Sequence, residues 1–187
     1  MPKRGAWNTS ARKRGEDPRF GEVVYSCAKT GFERMAYQFV QERGPGFVLN
    51  SVCPNFIAGR VLPGVALEPS GSGIINVFRE IRDLNFLAQW MIDVEDDAKI
   101  HVACLADKTM NAERVLGYAR PFNWNDVLRA IRKVRPEAKV IGDIEGQATD
   151  LMEVDTGRGA ELLRKWWGQH GYTTFEESVR RNLEHMK

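Results

Sequence analysis

The chain has 187 residues, 43% of them hydrophobic, with a formal net charge of +2 and a sequence pI near 8.5. That length suits one domain with a real core, and so balanced a charge points to neither nucleic acid nor an anionic membrane as a partner. Three widely spaced cysteines without a C-x-x-C pair, Cys27, Cys53 and Cys104, read as reduced thiols of a cytoplasmic protein, and no run approaches the ~18 apolar residues of a membrane span.

Residues 1–21 are rich in Arg, Lys, Gly and Pro and lack periodicity, so they read as a loop or mobile arm. Their basic residues are accompanied by a single aromatic, Trp7, and no second basic element follows, which favours a solvated loop over a nucleic-acid arm. From Tyr25 to Glu42, Ala28, Phe32, Met35, Ala36 and Phe39 recur at helical spacing, and Gly44-Pro45-Gly46 stops the helix. The Val-rich "FVLNSVC" that follows has the length of a buried strand, ended by Pro54 and leading into a loop at Gly59. Helix then buried strand is half of a parallel crossover unit.

Past a loop at Pro63 to Gly73, Ile74 to Arg82 reads as helix. "QWMIDV" reads as a strand leading into a helix with Asp96 or Asp97 in its first turn. "RVLGYA" is a further strand. Asn123 is the expected N-cap of a helix carrying Trp124, Val127, Leu128 and Ile131 and closed by Pro136. Two helices end the chain, Leu162 to Trp167 and Phe175 to Met186, the second capped by Thr173 or Thr174 with Glu176 and Glu177 at its positive end. The alternation makes the fold class α/β.

"YSCAK" sets Tyr25 and Lys29 four residues apart, ~40° from each other around a helix and on the side that the spacing marks as apolar. A tyrosine with its ordinary pKa of about 10 is a poor acid or base near neutrality, and a fixed ammonium beside it stabilises the phenolate. A carbonyl reduced by hydride becomes an alkoxide and needs such a positioned acid. A boundary lysine reaching water explains the same spacing and, for the pair taken alone, is the commoner reason for it.

In order along the chain, "YSCAKTGFERMAYQFVQE", "FVLNSVCPNFIAG", "MIDVEDDAKIHVACL", "RVLGYARPFNWNDVLRAIRKVRP" and "LLRKWWGQHGYTTFEESVRRNLE" cover nearly everything from about Val24 to the C-terminus. Together they resemble the short-chain dehydrogenase/reductase superfamily, in its extended branch of NAD-dependent epimerase/dehydratases and aldehyde or ketone reductases, and "PFNWNDVL" with "WWG" is similar to fungal members. The resemblance implies the C-terminal portion of a Rossmann-type parallel sheet plus a small, mostly helical substrate-binding region. Residues 22–62 would be the remnant of the Rossmann-like domain, and 63–187 its C-terminal elements mixed with the substrate-binding region.

Tyr25 is implied as the catalytic acid/base, and Lys29 as the group that tunes it and binds the nicotinamide ribose. Pro54, with Asn55 and Phe56 in the following loop, would border the nicotinamide. Asp93 and His101 read as satisfied structural groups rather than a catalytic dyad. The implied cofactor is NADP or NAD, and the implied partner a small-molecule carbonyl substrate, with a homodimer formed through the Tyr25 to Glu42 helix. The glycine-rich phosphate turn has no match in residues 1–24, and the family's catalytic serine would lie before residue 1. Ser10 reads as an ordinary loop serine, and Ser26 projects ~100° around the helix from Tyr25.

The implied reaction is NAD(P)H-dependent reduction of a ketone or aldehyde, with secondary-metabolite biosynthesis as the implied setting. Two other readings stay open. One is a catalytically inactive remnant that binds a partner through an exposed sheet edge or apolar helices. The other is a nucleotide-sugar epimerase or dehydratase on the same fold.

Overall fold

Helix α1 (Phe20–Arg43) starts earlier than the apolar spacing alone predicts. It stops at Gly44, whose φ of +57° lies in the left-handed region and whose N–H donates to the Val40 carbonyl at 3.0 Å. A computed structural model describes residues 20–62, 64, 69–80 and 88–186, so the expected arm at 1–19 lies outside the described residues. Phe20 and Gly21, assigned to that arm from sequence, belong to the helix.

The "FVLNSVC" strand is a correction. Only its end is strand, as β1 (Ser51–Pro54), while Phe47 and Val48 are exposed. Val-rich character marked an extended segment but could not say which part had a neighbour to pair with. A second strand, β2 (Phe56–Ala58), follows after one residue, where a loop was expected.

Helix α2 (Pro69–Phe78) is followed by β3 (Gln89–Asp93), which runs without a break into α3 (Val94–Ala106), as the "QWMIDV" pattern predicts. Strand β4 (Arg114–Gly117) is the expected "RVLGYA" element, and β5 (Arg120–Phe122) is an addition. Helix α4 (Trp124–Val134) opens with a complete capping box: Asn123 accepts from the Asp126 N–H, and Asp126 accepts from the Asn123 N–H. Helices α5 (Gly157–Trp167) and α6 (Phe175–Asn182) follow, the latter capped by Thr174, whose hydroxyl accepts from the Glu177 N–H.

The chain divides into two units, one of residues 1–51 with 107–114 and one of 52–106 with 115–187. In the first, α1 is tied to two short segments. Tyr37 Oη donates to the Glu113 carbonyl at 2.7 Å, and Arg114 Nε donates to both Glu33 carboxylate oxygens at 3.0 and 3.2 Å. Ser51 Oγ donates to Glu33 Oε1 at 2.5 Å, and the Ser51 N–H donates to the Glu113 carbonyl.

The second unit holds the main core. Strand β2 pairs in parallel with β3, Phe56 against Met91 and Ala58 against Asp93, and β5 adds to β3 antiparallel, Gln89 against Phe122. Helices cover the face of this parallel pair that carries Phe56 and Met91: Ile74, Ile75 and Val77 of α2, Val127, Leu128 and Ile131 of α4, and Val179 of α6 pack with those two residues. Strands β1 and β4 form a separate two-stranded pair. Among the described residues no helix is long and apolar enough to cross a membrane.

Candidate active site

Tyr25 and Lys29 lie one turn apart on α1, and both are exposed, Tyr25 at 65%. The side expected to face the core is instead turned outward: Phe32 and Met35 are 68% and 67% exposed, and Val24 and Phe39 are exposed as well. The helix packs through the neighbouring face, where Tyr37 is 8% exposed and bonded to residues 51 and 113. Tyr25 and Lys29 therefore flank the packed face rather than facing the core. Among the described residues neither has a hydrogen-bond or ion-pair partner. A phenol and an ammonium left accessible on an anchored helix are free to meet a ligand.

That donor set fits the nicotinamide-ribose end of a dinucleotide. The ammonium offers three N–H donors to ribose hydroxyls, and the phenol can either donate to a carbonyl oxygen or accept from a hydroxyl.

Pro54 closes β1 half-buried, and Asn55 is exposed between β1 and β2. Phe56 differs from expectation. It is the first residue of β2 rather than part of a loop, and its ring is buried, 4.9 Å from that of Phe122 and 6.2 Å from that of Trp124. An aromatic locked in edge-on contacts holds up the strand beside the Pro54–Asn55 turn and does not itself face that turn's surroundings.

Within the acidic turn "DVEDD", Asp93 and Asp96 are saturated by comparison. Asp93 Oδ1 accepts from the Glu95 N–H at 2.9 Å and Oδ2 from Ser178 Oγ at 2.7 Å, with Arg181 Nη1 3.7 Å away. Burial pushes its carboxyl above the ordinary aspartate range, against the pull of those hydrogen bonds. Asp96 accepts from the Thr173 N–H and from Gln169 Nε2. His101 pairs with its own helix, Nδ1 lying 2.8 Å from the Asp97 carbonyl, so His101 and Asp93 serve separate structural contacts.

Asp97 is the residue that sequence reasoning missed. It is buried, and burial pushes its carboxyl up while His101 pulls it down. Beside it lies Gly117, and a glycine inside "RVLGYA" was the available signal, because glycine in a strand marks a close backbone approach.

No family model matches the chain. Its relatives are reductases: it is 31% identical over 180 residues to a protein named ketoreductase adrE from Penicillium roqueforti, covering 93% of this chain and 53% of that one. It is 32% identical over 168 residues to aldehyde reductase 2 of Sporidiobolus salmonicolor, covering 88% and 49%. Proteins named NAD-dependent epimerase/dehydratase match as well. The chain is thus a homologue of ketoreductases and NAD-dependent epimerase/dehydratases, consistent with the extended branch of the short-chain dehydrogenase/reductase superfamily. The solved structure of Gre2 from Candida albicans, titled as a complex with NADPH, matches this chain with a TM-score of 0.75 at 21% identity, over 88% of this chain and 51% of that one, a likeness of fold. The α/β, Rossmann-type architecture is thereby shown. The chain spans about half the length of the curated relatives it matches.

Proposed function

We propose that this chain takes part in NAD(P)H-dependent reduction of a ketone or aldehyde, with Tyr25 as the proton donor and Lys29 as the group that binds the nicotinamide ribose. The observation that carries the reading is the exposed Tyr25–Lys29 turn, whose polar groups have no partner among the described residues. The names of its relatives, ketoreductase and aldehyde reductase, support the same chemistry.

When bound, the reduced nicotinamide supplies the hydride. Lys29 would donate to the ribose hydroxyls. Tyr25 gives its proton to the carbonyl oxygen as the alkoxide develops. Pro54 and Asn55 border the nicotinamide, and Phe56 supports them from the core. On this reading 22–62 carry the Tyr–Lys helix and the bordering strand, and 63–187 the remaining sheet elements with the substrate-binding region. The substrate class is a small carbonyl compound of secondary metabolism, and the setting is the cytoplasm.

The outward stripe of Val24, Phe32, Met35 and Phe39 supports a homodimer through the same helix.

The test is turnover of NADPH by the purified chain against a panel of ketones and aldehydes. Substrate-dependent loss of NADPH that disappears in Tyr25→Phe is expected. A Tyr25→Phe variant as active as the parent would remove Tyr25 from the mechanism.

A further inference from the structure

Pro54 sits at the end of β1 without an N–H, so it cannot donate to the β1–β4 ladder and must be fixed by packing. Three groups converge there. A methyl group placed on Gly117, the last residue of β4, would lie 3.1 Å from Pro54 Cα, 3.2 Å from Pro54 Cβ and 3.0 Å from Asp97 Oδ1. Those separations are tighter than most real methyl contacts, so the absence of a side chain at Gly117 is what lets the two strand ends and the carboxyl close on one another. Asp97 comes from the first turn of α3 and is 8% exposed. Its Oδ2 is 3.7 Å from His101 Nδ1, while its buried Oδ1 has no hydrogen-bond partner among the described residues.

An unsatisfied buried oxygen costs stability, on the order of 1–3 kcal/mol. An alanine at 97 would avoid that cost and still suit the helix. A group kept at a loss to stability, wedged against a glycine and a proline, is explained by what it holds in place.

We propose that Asp97 and Gly117 are positioning residues, the carboxyl filling the gap under the Gly117 backbone so that the Pro54–Asn55 turn is held at one height beside the nicotinamide. This rests on the reading that Pro54 and Asn55 border that cofactor. The planar shape of the side chain matters more than its charge, so asparagine should replace it and alanine should not. Gly117→Ala should push Pro54 away, because neither Pro54 Cα nor the wedged carboxyl can yield easily. Removing the carboxyl as well should give the methyl room and let Pro54 return.

Two readouts on the 187-residue chain test this. In the ligand-free protein, amide hydrogen exchange over the peptide spanning residues 52–58 reports the turn directly. Gly117→Ala and Asp97→Ala should each raise it, Asp97→Asn should leave it at the parent rate, and Asp97→Ala/Gly117→Ala should exchange more slowly than Gly117→Ala alone.

Fluorescence titration with NADPH reports the consequence. A Kd about tenfold weaker in Gly117→Ala, with most of the loss recovered in the double variant, is the coupling expected of residues in contact. Unchanged exchange in both single variants would overturn the proposal, as would losses that simply multiply in the double variant. Should Gly117→Ala fail to fold, the contrast between Asp97→Ala and Asp97→Asn decides the same question. If the parent chain binds no NADPH, the functional reading fails while the exchange data still decide what Asp97 and Gly117 hold.

Discussion

Two stretches of this chain are dense in polar side chains, and their fates are opposite. Along α1, Tyr25 and Lys29 are exposed and without partners among the described residues. In the turn from β3 into α3, Asp93 and Asp96 are buried, and hydrogen bonds from Ser178, the Glu95 N–H, Gln169 and the Thr173 N–H occupy them. A carboxylate whose lone pairs are already taken holds helices and strands together; a phenol and an amine left open can serve a ligand. By residue type alone the aspartates look the more catalytic, and satisfaction of their hydrogen bonds is what reverses the ranking.

Breaking each region should expose that difference. Tyr25→Phe should lower turnover by about 10²–10⁴-fold, the range of a lost general acid, without moving the thermal midpoint, as steady-state rates alongside a melting curve would show. Asp93→Ala should do the reverse in kind, costing about 2–4 kcal/mol in chemical denaturation by stranding the Ser178 hydroxyl and the Glu95 N–H.

The region around Asp96 also carries a pH signature. Tyr172 Oη donates to the Thr156 carbonyl at 3.0 Å, and burial, with the nearby Asp96 and Asp155, pushes its pKa up to about 12. The folded state thus holds that proton more tightly than the unfolded chain does. Its contribution is fully present below the ordinary tyrosine value of about 10 and is lost as pH rises toward about 12. Denaturation midpoints measured across that window should fall more steeply in the parent than in Tyr172→Phe. The smallest effect belongs to a cap: Asn123→Ala removes the acceptor for the Asp126 N–H and should cost about 1 kcal/mol, with no change in cofactor affinity.

The capped starts of α4 and α6 were the most legible features of the sequence, because Asn123 and Thr174 announce themselves by side-chain chemistry that acts within three residues, whereas α1, α2 and α5 start earlier than their apolar spacing predicts. The strand-to-helix junction at Asp93–Val94 was legible for a similar reason, an apolar run meeting an acidic first turn. What failed depended on partners distant in sequence. Strands β2 and β5 are three residues each, too short to show a period, and exist because β3 lies between them. On α1 two faces are apolar enough to pack, Val24–Phe32–Met35–Phe39 and the one through Tyr37, and the spacing chose the wrong one. The bonds from Tyr37 and Glu33 to residues 51, 113 and 114 decide it. Of the candidate site, Tyr25 and Lys29 were readable as a pair, Phe56 was misplaced into a loop, and Asp97 was signalled only indirectly, by the glycine in "RVLGYA", because its significance lies in the space left by Gly117.

The central claim is that the open turn on α1 meets a nicotinamide cofactor. Fluorescence titration of the purified 187-residue chain with NADPH and with NADH tests it most directly, run on the parent, Lys29→Ala and Tyr25→Phe. Saturable binding of at least one cofactor is expected, weakened about tenfold by Lys29→Ala, as for one or two lost charge-assisted hydrogen bonds, and nearly unchanged by Tyr25→Phe. No binding of either cofactor at millimolar concentration, or a Lys29→Ala variant that binds as the parent does, would contradict it.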